Sequence, residues 1–439
     1  MKERLKDLVS INQKRRPIFY GWVIVIVCFV AEFASAIGGS YVFAVFLKPM
    51  TAEFGWTRAT IASGLSLSRI CGGLAGPVIG PFVDRKHGAR LLMVGGGVIF
   101  GAGLIALGHV QTLWQYYLVF CIVGALGMSE AGGVVSNTVV AKWFIRRRGR
   151  AVAFSIVGIS IGGAVMAMVS ERLISTLGWR SAWEVLGLIV WVAIIPLAAL
   201  FMKRSPEDMG LRPDGEETEP KKASTTQALA LGLASSTFRG EQAWTLKQVV
   251  KTNTFWLIVS AFTVSGTSLS GILMHHAAYV TDMGFSATTA AALVSTIALG
   301  AGLGKPFWGL VSEKIHVRYC AIASFISTAM AIAILMAARN LPLLFFSSTI
   351  YGLAMGGWVV LGTLVYANYF GRRYLGAIRG LVSPFTLISI AGGPILAGHI
   401  YDVTGNYQVS FMIILTCCLI GASLMFFAKP PKAPDALDT

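Results

Sequence analysis

The chain consists largely of apolar stretches of about 20 residues, the length at which a helix crosses the roughly 30 Å hydrocarbon core of a bilayer. Hydrophobic residues make up 55% of its 439 residues and charged residues 13%, which is too little polar surface for a soluble globule. The sequence therefore predicts an all-α membrane protein with twelve transmembrane helices, at about 20–47, 57–83, 91–108, 114–140, 151–174, 181–202, 254–281, 286–312, 319–338, 342–368, 377–400 and 408–428.

The two halves of the chain repeat one pattern, which indicates two copies of a single unit. The clearest correspondences are GPFVDR at 80–85 with GLVSEK at 309–314, FGWT at 54–57 with MGFS at 283–286, and WFIRR at 143–147 with YFGRR at 369–373. We expect two six-helix bundles, 1–202 and 253–439, joined by a polar linker, 203–252. Within this linker, residues 245–251 form either a short interfacial helix or a plain loop.

Basic residues are distributed unevenly around the predicted spans. With the N-terminus in the cytosol, most of the 36 Lys and Arg fall on the cytosolic side, as the positive-inside rule expects. We therefore place both termini in the cytosol and the protein in a plasma membrane, the inner membrane if the source is bacterial. The net charge of +16 is read as a topology signal and not as nucleic-acid binding, because no basic face interleaves with aromatic residues.

Several functional classes find no support in the sequence. The six cysteines all fall inside predicted spans, where they resemble small packing residues more than disulfide or metal ligands. No nucleotide-binding, metalloprotease or serine-hydrolase motif is present. The basic N-terminal segment leads into a full-length span without a cleavage site, so we expect it to be retained. We predict neither an enzyme nor a bound cofactor.

The repeated six-span organisation resembles the major facilitator superfamily over the whole chain. The loop signature of that superfamily reads Gly80, Asp84, Arg85, Gly88 and Arg90 here, with one extra residue between Arg85 and Gly88. Three further segments, YGW at 20–22, WFIRRRGRA at 143–151 and RSPEDMGL at 204–211, are similar to the monocarboxylate and oxalate/formate porters, in a bacterial style. The resemblance implies alternating access, in which two bundles rock about a site near the middle of the membrane.

Four charged residues lie well inside predicted spans: Glu32, Arg69, Glu130 and Lys305. A charge at the bilayer centre costs about 2.5–3.5 kcal/mol on insertion scales, so each needs a reason to be there. None has a charged counterpart in the other copy of the repeat, which favours a site over the shared scaffold. Their charges sum to zero, so the cavity becomes net positive when one carboxylate is protonated.

Lys305 is the first candidate for substrate contact, with Arg69 as a second cation. Lys305 and the proline after it are similar to the arginine-proline element of the porter branch, where the cation pairs with a carboxylate. Lysine supplies a point charge there, whereas the arginine guanidinium binds a carboxylate through two parallel hydrogen bonds. The alternative is a lysine that pairs with an acid for stability. Ala301 replaces the acid of animal-type porters, so proton coupling requires Glu32 or Glu130, unless these form structural ion pairs.

Three further side chains are candidate substrate contacts. His275 and His276 are adjacent and point about 100° apart on a helix, so at most one faces a cavity, and we select His276. Tyr351 and Trp358, with Tyr366, offer hydroxyl or ring contacts in the tenth span. Helix–helix packing is the alternative for each of them.

Asp84, Arg85, Arg90 and Arg379 are assigned to gating. In the superfamily, the acid of this motif meets the cytosolic start of span eleven, where an exposed helix N-terminus favours negative charge, and so latches the outward-open state. Arg379 is close enough in sequence to that helix start to join the latch. A solvated loop that serves topology alone is the alternative.

Together these features predict a secondary transporter of a small organic anion, most consistent with a monocarboxylate, which moves by proton symport or exchange. Its partners are then the anion, protons and the lipid bilayer. An exporter of amphipathic compounds and a non-transporting membrane sensor on the same fold are the alternatives.

Overall fold

The computed structural model describes residues 19–128, 133–215 and 244–431, and within these ranges the chain is almost entirely helical. The helices of the first half are α1 Tyr20–Ser35, α2 Ser40–Phe54, α3 Arg58–Val83, α4 Gly88–Gly108, α5 Leu113–Ile122, α6 Gly133–Trp143 and α7 Arg148–Phe201. Those that follow are α8 Leu246–Val250, α9 Asn253–Asp282, α10 Ala287–Val311, α11 Val317–Ala337, α12 Leu341–Phe370, α13 Leu375–Thr404 and α14 Gln408–Phe427.

The helices account for the twelve predicted spans. In the described part of the chain, nine helical stretches are long and apolar enough to cross a membrane. One of them, α7, has 54 residues and is interrupted at Gly178, where φ is 81° and ψ is 161°, so it forms two spans. Together with α3 and the pair α5–α6, they make up the two six-helix bundles of the predicted fold, which is confirmed.

The first span is broken near its middle. Helix α1 ends at Ser35, a 3₁₀ turn covers Ala36–Gly38, and α2 starts at Ser40 after an extended Gly39. The sequence predicted one continuous helix over 20–47. The fourth span is interrupted similarly, by a π turn at Val123–Met128 between α5 and the undescribed residues 129–132. Interrupted transmembrane helices are common where a transporter binds its substrate.

The repeated FGWT and MGFS segments have the same structural task in the two halves. Gly55 and Gly284 adopt positive φ angles of 67° and 90°, which glycine tolerates without a Cβ clash. Two residues later, the hydroxyls of Thr57 and Ser286 accept hydrogen bonds from backbone N–H groups in the first turns of α3 and α10. Each segment therefore turns the chain and caps the next helix.

The two halves pack together at one end of the molecule, which we call the linker end; it carries the turns at 84–87, 144–147 and 371–374 and the segment 203–215. A Cβ added to Gly80 on α3 would lie 2.3 Å from the Gly376 carbonyl oxygen on α13. A Cβ on Gly309 of α10 would lie 2.6 Å from the Gly149 carbonyl oxygen on α7. Because neither glycine can be replaced without a shift, the halves touch backbone to backbone at these two places.

The segment before the seventh span was predicted to be either a short helix or a plain loop. Residues Leu246–Val250 form the short helix α8, and the Thr245 hydroxyl and Gln248 side chain cap each other's backbone N–H groups at its start. The alternative of a plain loop is therefore wrong. We retain the division into 1–202, 203–252 and 253–439 as a proposal.

Candidate functional site

Lys305 lies at the interface between the two halves. It sits on α10, is 5% exposed, and its Nζ donates to the Ser160 hydroxyl at 2.5 Å and to the Ile156 carbonyl at 3.5 Å, both on α7. Gly304 lets α10 approach α12, since a Cβ there would lie 2.3 Å from the Leu353 carbonyl oxygen. The ammonium group therefore points away from lipid and bridges the halves.

Glu32 faces the same interface from α1. The residue is 3% exposed, and its Oε1 has no hydrogen-bond partner among the described residues. Gly158 on α7 packs against it, because a Cβ there would lie 3.2 Å from the Glu32 Cβ and 2.4 Å from the Phe29 carbonyl oxygen. Lys305 and Arg379 are the cations that act on this carboxylate electrostatically.

Arg379 lies at this cluster, and its predicted role in gating stays a prediction. It lies on α13, is partly buried, and donates from its guanidinium to the Thr363 hydroxyl on α12. Its electrostatic neighbours are Glu32 and Tyr366. The helix start near Asp84 presents backbone N–H groups, whereas the Arg379 side chain extends towards α12.

Tyr366 is a further member of the cluster. It is 2% exposed on α12, and its hydroxyl has no hydrogen-bond partner among the described residues. We define the binding cluster as Glu32, Lys305, Arg379 and Tyr366. With all three charged groups ionised, the cluster carries a net charge of +1, so an anion can bind there without a change in protonation.

The remaining predicted substrate contacts lie elsewhere. Tyr351 donates its hydroxyl to the Ser268 carbonyl at 2.5 Å, and Trp358 donates from its indole N–H to a serine hydroxyl on α9 at 3.3 Å. The Nε2 of His276 contacts a serine hydroxyl on α12 at 3.3 Å, and the residue is 1% exposed. All three contacts join α9 to α12 inside the second half. Tyr351 and Trp358 also line a small cavity inside this half. The predicted substrate role of the three residues stays a prediction.

Arg69, the second predicted cation, also lies outside the cluster. Arg69 on α3 is exposed and donates to the Ser40 hydroxyl at 2.6 Å, where α2 begins. Arg69 lies farther from the linker end along α3 than Gly80, which contacts α13 there. Glu130 falls outside the described residues, so its predicted role in proton coupling stays a prediction.

Asp84 closes the linker end by capping α13. Its two carboxylate oxygens accept hydrogen bonds from the backbone N–H groups of Gly376 at 3.1 Å and Ala377 at 2.9 Å. Lys142 at the end of α6 donates to the same carboxylate at 2.5 Å, and the exposed fraction is 4% for the Lys142 side chain and 8% for that of Asp84. A negative charge at a helix N-terminus is stabilising, so this contact favours the joined arrangement of the halves.

The other two motif residues are not drawn into this contact. The Arg85 guanidinium lies 4.2 Å from the centroid of the Phe82 ring, and both Arg85 and Arg90 are exposed. Of the three motif residues predicted to gate, the structure thus brings Asp84 alone to the start of α13. A gating role for Arg85 and Arg90 stays a prediction.

The second copy of the motif makes a related contact across the same end. Glu313, which follows α10, accepts a hydrogen bond from the backbone N–H of Arg150 at 2.9 Å and from the Arg150 guanidinium at 2.7 to 3.1 Å. Each half therefore places one acid at the start of a helix of the other half. The repeated sequence thus underlies two related contacts at the linker end.

The segment after the sixth span adds a third contact. Arg372 of the second half donates to the Lys142 carbonyl at 2.7 Å and to the Glu207 carboxylate at 2.5 Å. Burial alone would raise the pKa of Glu207, but the hydrogen bond and charge of Arg372, together with hydrogen bonds from the Glu207 backbone and Ser205, hold this pKa below its ordinary value. Arg204 also donates to the Asp84 carbonyl at 2.9 Å. Sequence reasoning did not assign these residues.

Comparison with known proteins places this architecture in a family. The sequence profile of the Major Facilitator Superfamily matches residues 24–298 and 277–438. Monocarboxylate transporter 1 of Bos taurus is 25% identical over 425 residues, which cover 89% of this chain and 81% of that protein. Monocarboxylate transporter 1 of Homo sapiens is 24% identical, with 93% and 84% covered.

Two solved structures share the fold. The human organic anion transporter MFSD10 (TETRAN) superposes with a TM-score of 0.67 at 16% identity and covers 92% of this chain and 99% of its own. The proton:xylose symporter XylE bound to 6-bromo-6-deoxy-D-glucose gives a TM-score of 0.70 at 13% identity, with 93% and 96% covered. At these identities the likeness concerns the fold alone.

Proposed function

The chain belongs to the major facilitator superfamily, and we propose that it is a secondary active transporter of a small organic anion, most consistent with a monocarboxylate. One observation carries the proposal: a buried carboxylate, Glu32, lies at the interface of the halves within the electrostatic influence of two cations, Lys305 and Arg379. Its relation to monocarboxylate transporters supports the same substrate class. This function requires neither a cofactor nor catalysis.

The arrangement of the halves supports alternating access. The contacts of Asp84, Glu313 and Arg372 join the halves at the linker end, while Arg69 on the other side of the cluster is exposed. We therefore propose that the anion enters from the end opposite the linker. Rocking of the halves would break the linker-end contacts and expose the cluster to the linker end.

The orientation in the membrane is part of the proposal. The linker end is rich in Lys and Arg and is proposed to face the cytosol of a cell with the protein in its plasma membrane. In this orientation the linker-end contacts close the cytosolic side. An anion arriving from outside then meets Arg69 before it reaches Lys305.

Glu32 is proposed as the group that couples transport to protons. A buried carboxylate between two cations changes the net charge of the cluster from +1 to +2 when it is protonated. Proton binding therefore strengthens anion binding at the same site, which is the thermodynamic requirement for symport. Exchange of one anion for another without a proton remains the alternative mode of the same site.

The test combines ligand binding with transport. Small carboxylic acids should raise the melting temperature of the purified protein, because a ligand that binds the folded state stabilises it. Lys305→Gln should weaken the binding of the best acid by roughly 10- to 100-fold, the range for a hydrogen bond to a charged group. Lys251→Gln, at an exposed lysine after α8, is the matched control and should leave binding unchanged.

Uptake into proteoliposomes separates the alternatives. Acid uptake that Lys305→Gln abolishes supports the proposal, and uptake at the wild-type rate in this variant would remove Lys305 from the site. Export of amphipathic compounds that tolerates Lys305→Gln would favour an exporter. Tight acid binding without flux would favour a sensor on the same fold.

A further inference from the structure

The Lys305 ammonium group is held by a hydroxyl of the first half and not by the neighbouring carboxylate. Its Nζ donates to the Ser160 hydroxyl at 2.5 Å and, more weakly, to the Ile156 carbonyl at 3.5 Å. Glu32 and Lys305 influence one another through their charges, yet the Glu32 Oε1 has no hydrogen-bond partner among the described residues. The carboxylate and the ammonium group are thus buried near one another without a direct hydrogen bond, an exception that needs an explanation.

The position of Ser160 is set by the packing of α7 against α1. A Cβ added to Gly158 or Gly162 would lie 2.4 or 2.3 Å from a carbonyl oxygen of α1. The α7 backbone therefore lies directly on the helix that carries Glu32. Ser160 is two residues from each of these glycines, about 200° around the helix, so its side chain points away from α1. Its hydroxyl meets the second half at Lys305.

The acceptor that a lysine uses decides how much of its charge an anion can use. The ammonium group has three N–H donors on a flexible stem, so it can reach more than one acceptor. A hydrogen bond to a neutral hydroxyl leaves the positive charge uncompensated. A bond to an ionised carboxylate would form a buried ion pair, and an arriving anion would have to compete with that carboxylate.

We propose that Ser160 is a positioning residue, which holds the Lys305 ammonium group away from Glu32 and so keeps its charge available to the transported anion. This inference rests on the proposed function and adds to it a residue that the sequence did not single out. Ser160 does not have to touch the anion. It acts through Lys305.

The bond between Ser160 and Lys305 depends on how the halves are arranged. The two residues belong to different halves, and the backbone contact of Gly149 with Gly309 lies one turn beyond Lys305 on α10. The bond therefore exists while α7 and α10 are joined there. When the halves separate at the linker end, the ammonium group is free to close on Glu32, which weakens the site and releases the anion towards that end.

Titration calorimetry on the purified full-length protein measures the effect. The probe is whichever of acetate, propanoate and benzoate raises the melting temperature most. Ser160→Ala should raise the Kd of this acid by roughly 10- to 100-fold, the range for a hydrogen bond to a charged group, and Ser160→Thr should restore most of the affinity because it keeps the hydroxyl. An unchanged Kd in Ser160→Ala would overturn the inference and leave the proposed function intact. If none of the three acids binds the parent protein, the proposed function fails and the inference fails with it.

A double-mutant cycle separates positioning from general damage to the structure. Ser160→Ala is proposed to act by letting the ammonium group reach Glu32, and Glu32→Gln removes the charge of that carboxylate. In the Glu32→Gln background, Ser160→Ala should therefore change the Kd by less than about twofold. An undiminished effect in that background would overturn the proposed role of Ser160.

Ser170→Ala is the matched control on the same helix. The Ser170 hydroxyl donates to the Met166 carbonyl of α7 itself at 2.6 Å, so its removal should leave the Kd unchanged. An increase in Kd as large as that of Ser160→Ala would show that the loss of any hydroxyl from α7 suffices, and would overturn the assignment.

Discussion

Asp84→Asn should open the linker end. The substitution keeps the size of the side chain but removes the charge that Lys142 faces and leaves one oxygen for the two backbone N–H groups of α13. The Asp84 and Lys142 side chains are 8% and 4% exposed, so their ion pair is buried. Removal of one partner of a buried ion pair costs about 3–5 kcal/mol. At about 1.4 kcal/mol per tenfold, this shifts the equilibrium between the joined and separated halves by roughly 100- to 4,000-fold.

Spin-label distance measurements across the linker end can read this shift. Labels on cysteines at Ile145 and Ile315, which are exposed in opposite halves, would report the distance in a background without the native cysteines. We expect a short distance in the parent protein and a longer one in Asp84→Asn. Asp402→Asn, at an exposed acid on the other side of the membrane, is the control. A folded Asp84→Asn protein with the parent distance distribution would refute the reasoning.

Two further substitutions test the neighbouring contacts. Glu313→Gln should change the equilibrium between joined and separated halves, read from the same label distances, by less than about tenfold. The reason is that Arg150 is 41% exposed, so solvent screens its pair with Glu313. A change as large as that of Asp84→Asn would contradict this. Glu207→Gln should lower the melting temperature equally at pH 6 and pH 8. Arg372 lowers the pKa of Glu207 in the folded protein, so the ionised carboxylate stabilises the fold above the unfolded pKa of about 4.3. This stabilisation is lost as pH falls through the lower folded pKa. A difference in melting temperature between Glu207→Gln and the parent that grows on acidification would contradict the direction of this pKa shift.

The span pattern and the repeat were predicted well because both depend on local properties of the chain. Apolar length fixes how far a helix extends, and the paired glycine and hydroxyl at 55–57 and 284–286 fix where two helices begin. The break at Ala36–Gly38 was missed, since its residues are as apolar as those of a continuous span. Hydropathy does not distinguish an α-helix from a short 3₁₀ turn.

The site was predicted in part. Glu32 and Lys305 were found because they are charges inside spans without a charged counterpart in the other repeat. Arg379 also lacks a charged counterpart, but it lies near the start of its predicted span, and Lys142 lies just beyond the end of one; charges are ordinary at both places. For this reason the sequence did not predict the contacts that these two residues make.

The sequence by itself determined that this chain crosses a membrane as two related halves, and that it keeps a few charges where they are costly. Tertiary structure decided which of these charges meet: Arg379 joins Glu32 and Lys305, while Arg69 does not, and Lys142 becomes the partner of Asp84. The physical reason is that the rotation of each helix depends on contacts with helices distant in sequence. Close glycine contacts such as those of Gly158 set these rotations, and no local pattern records them.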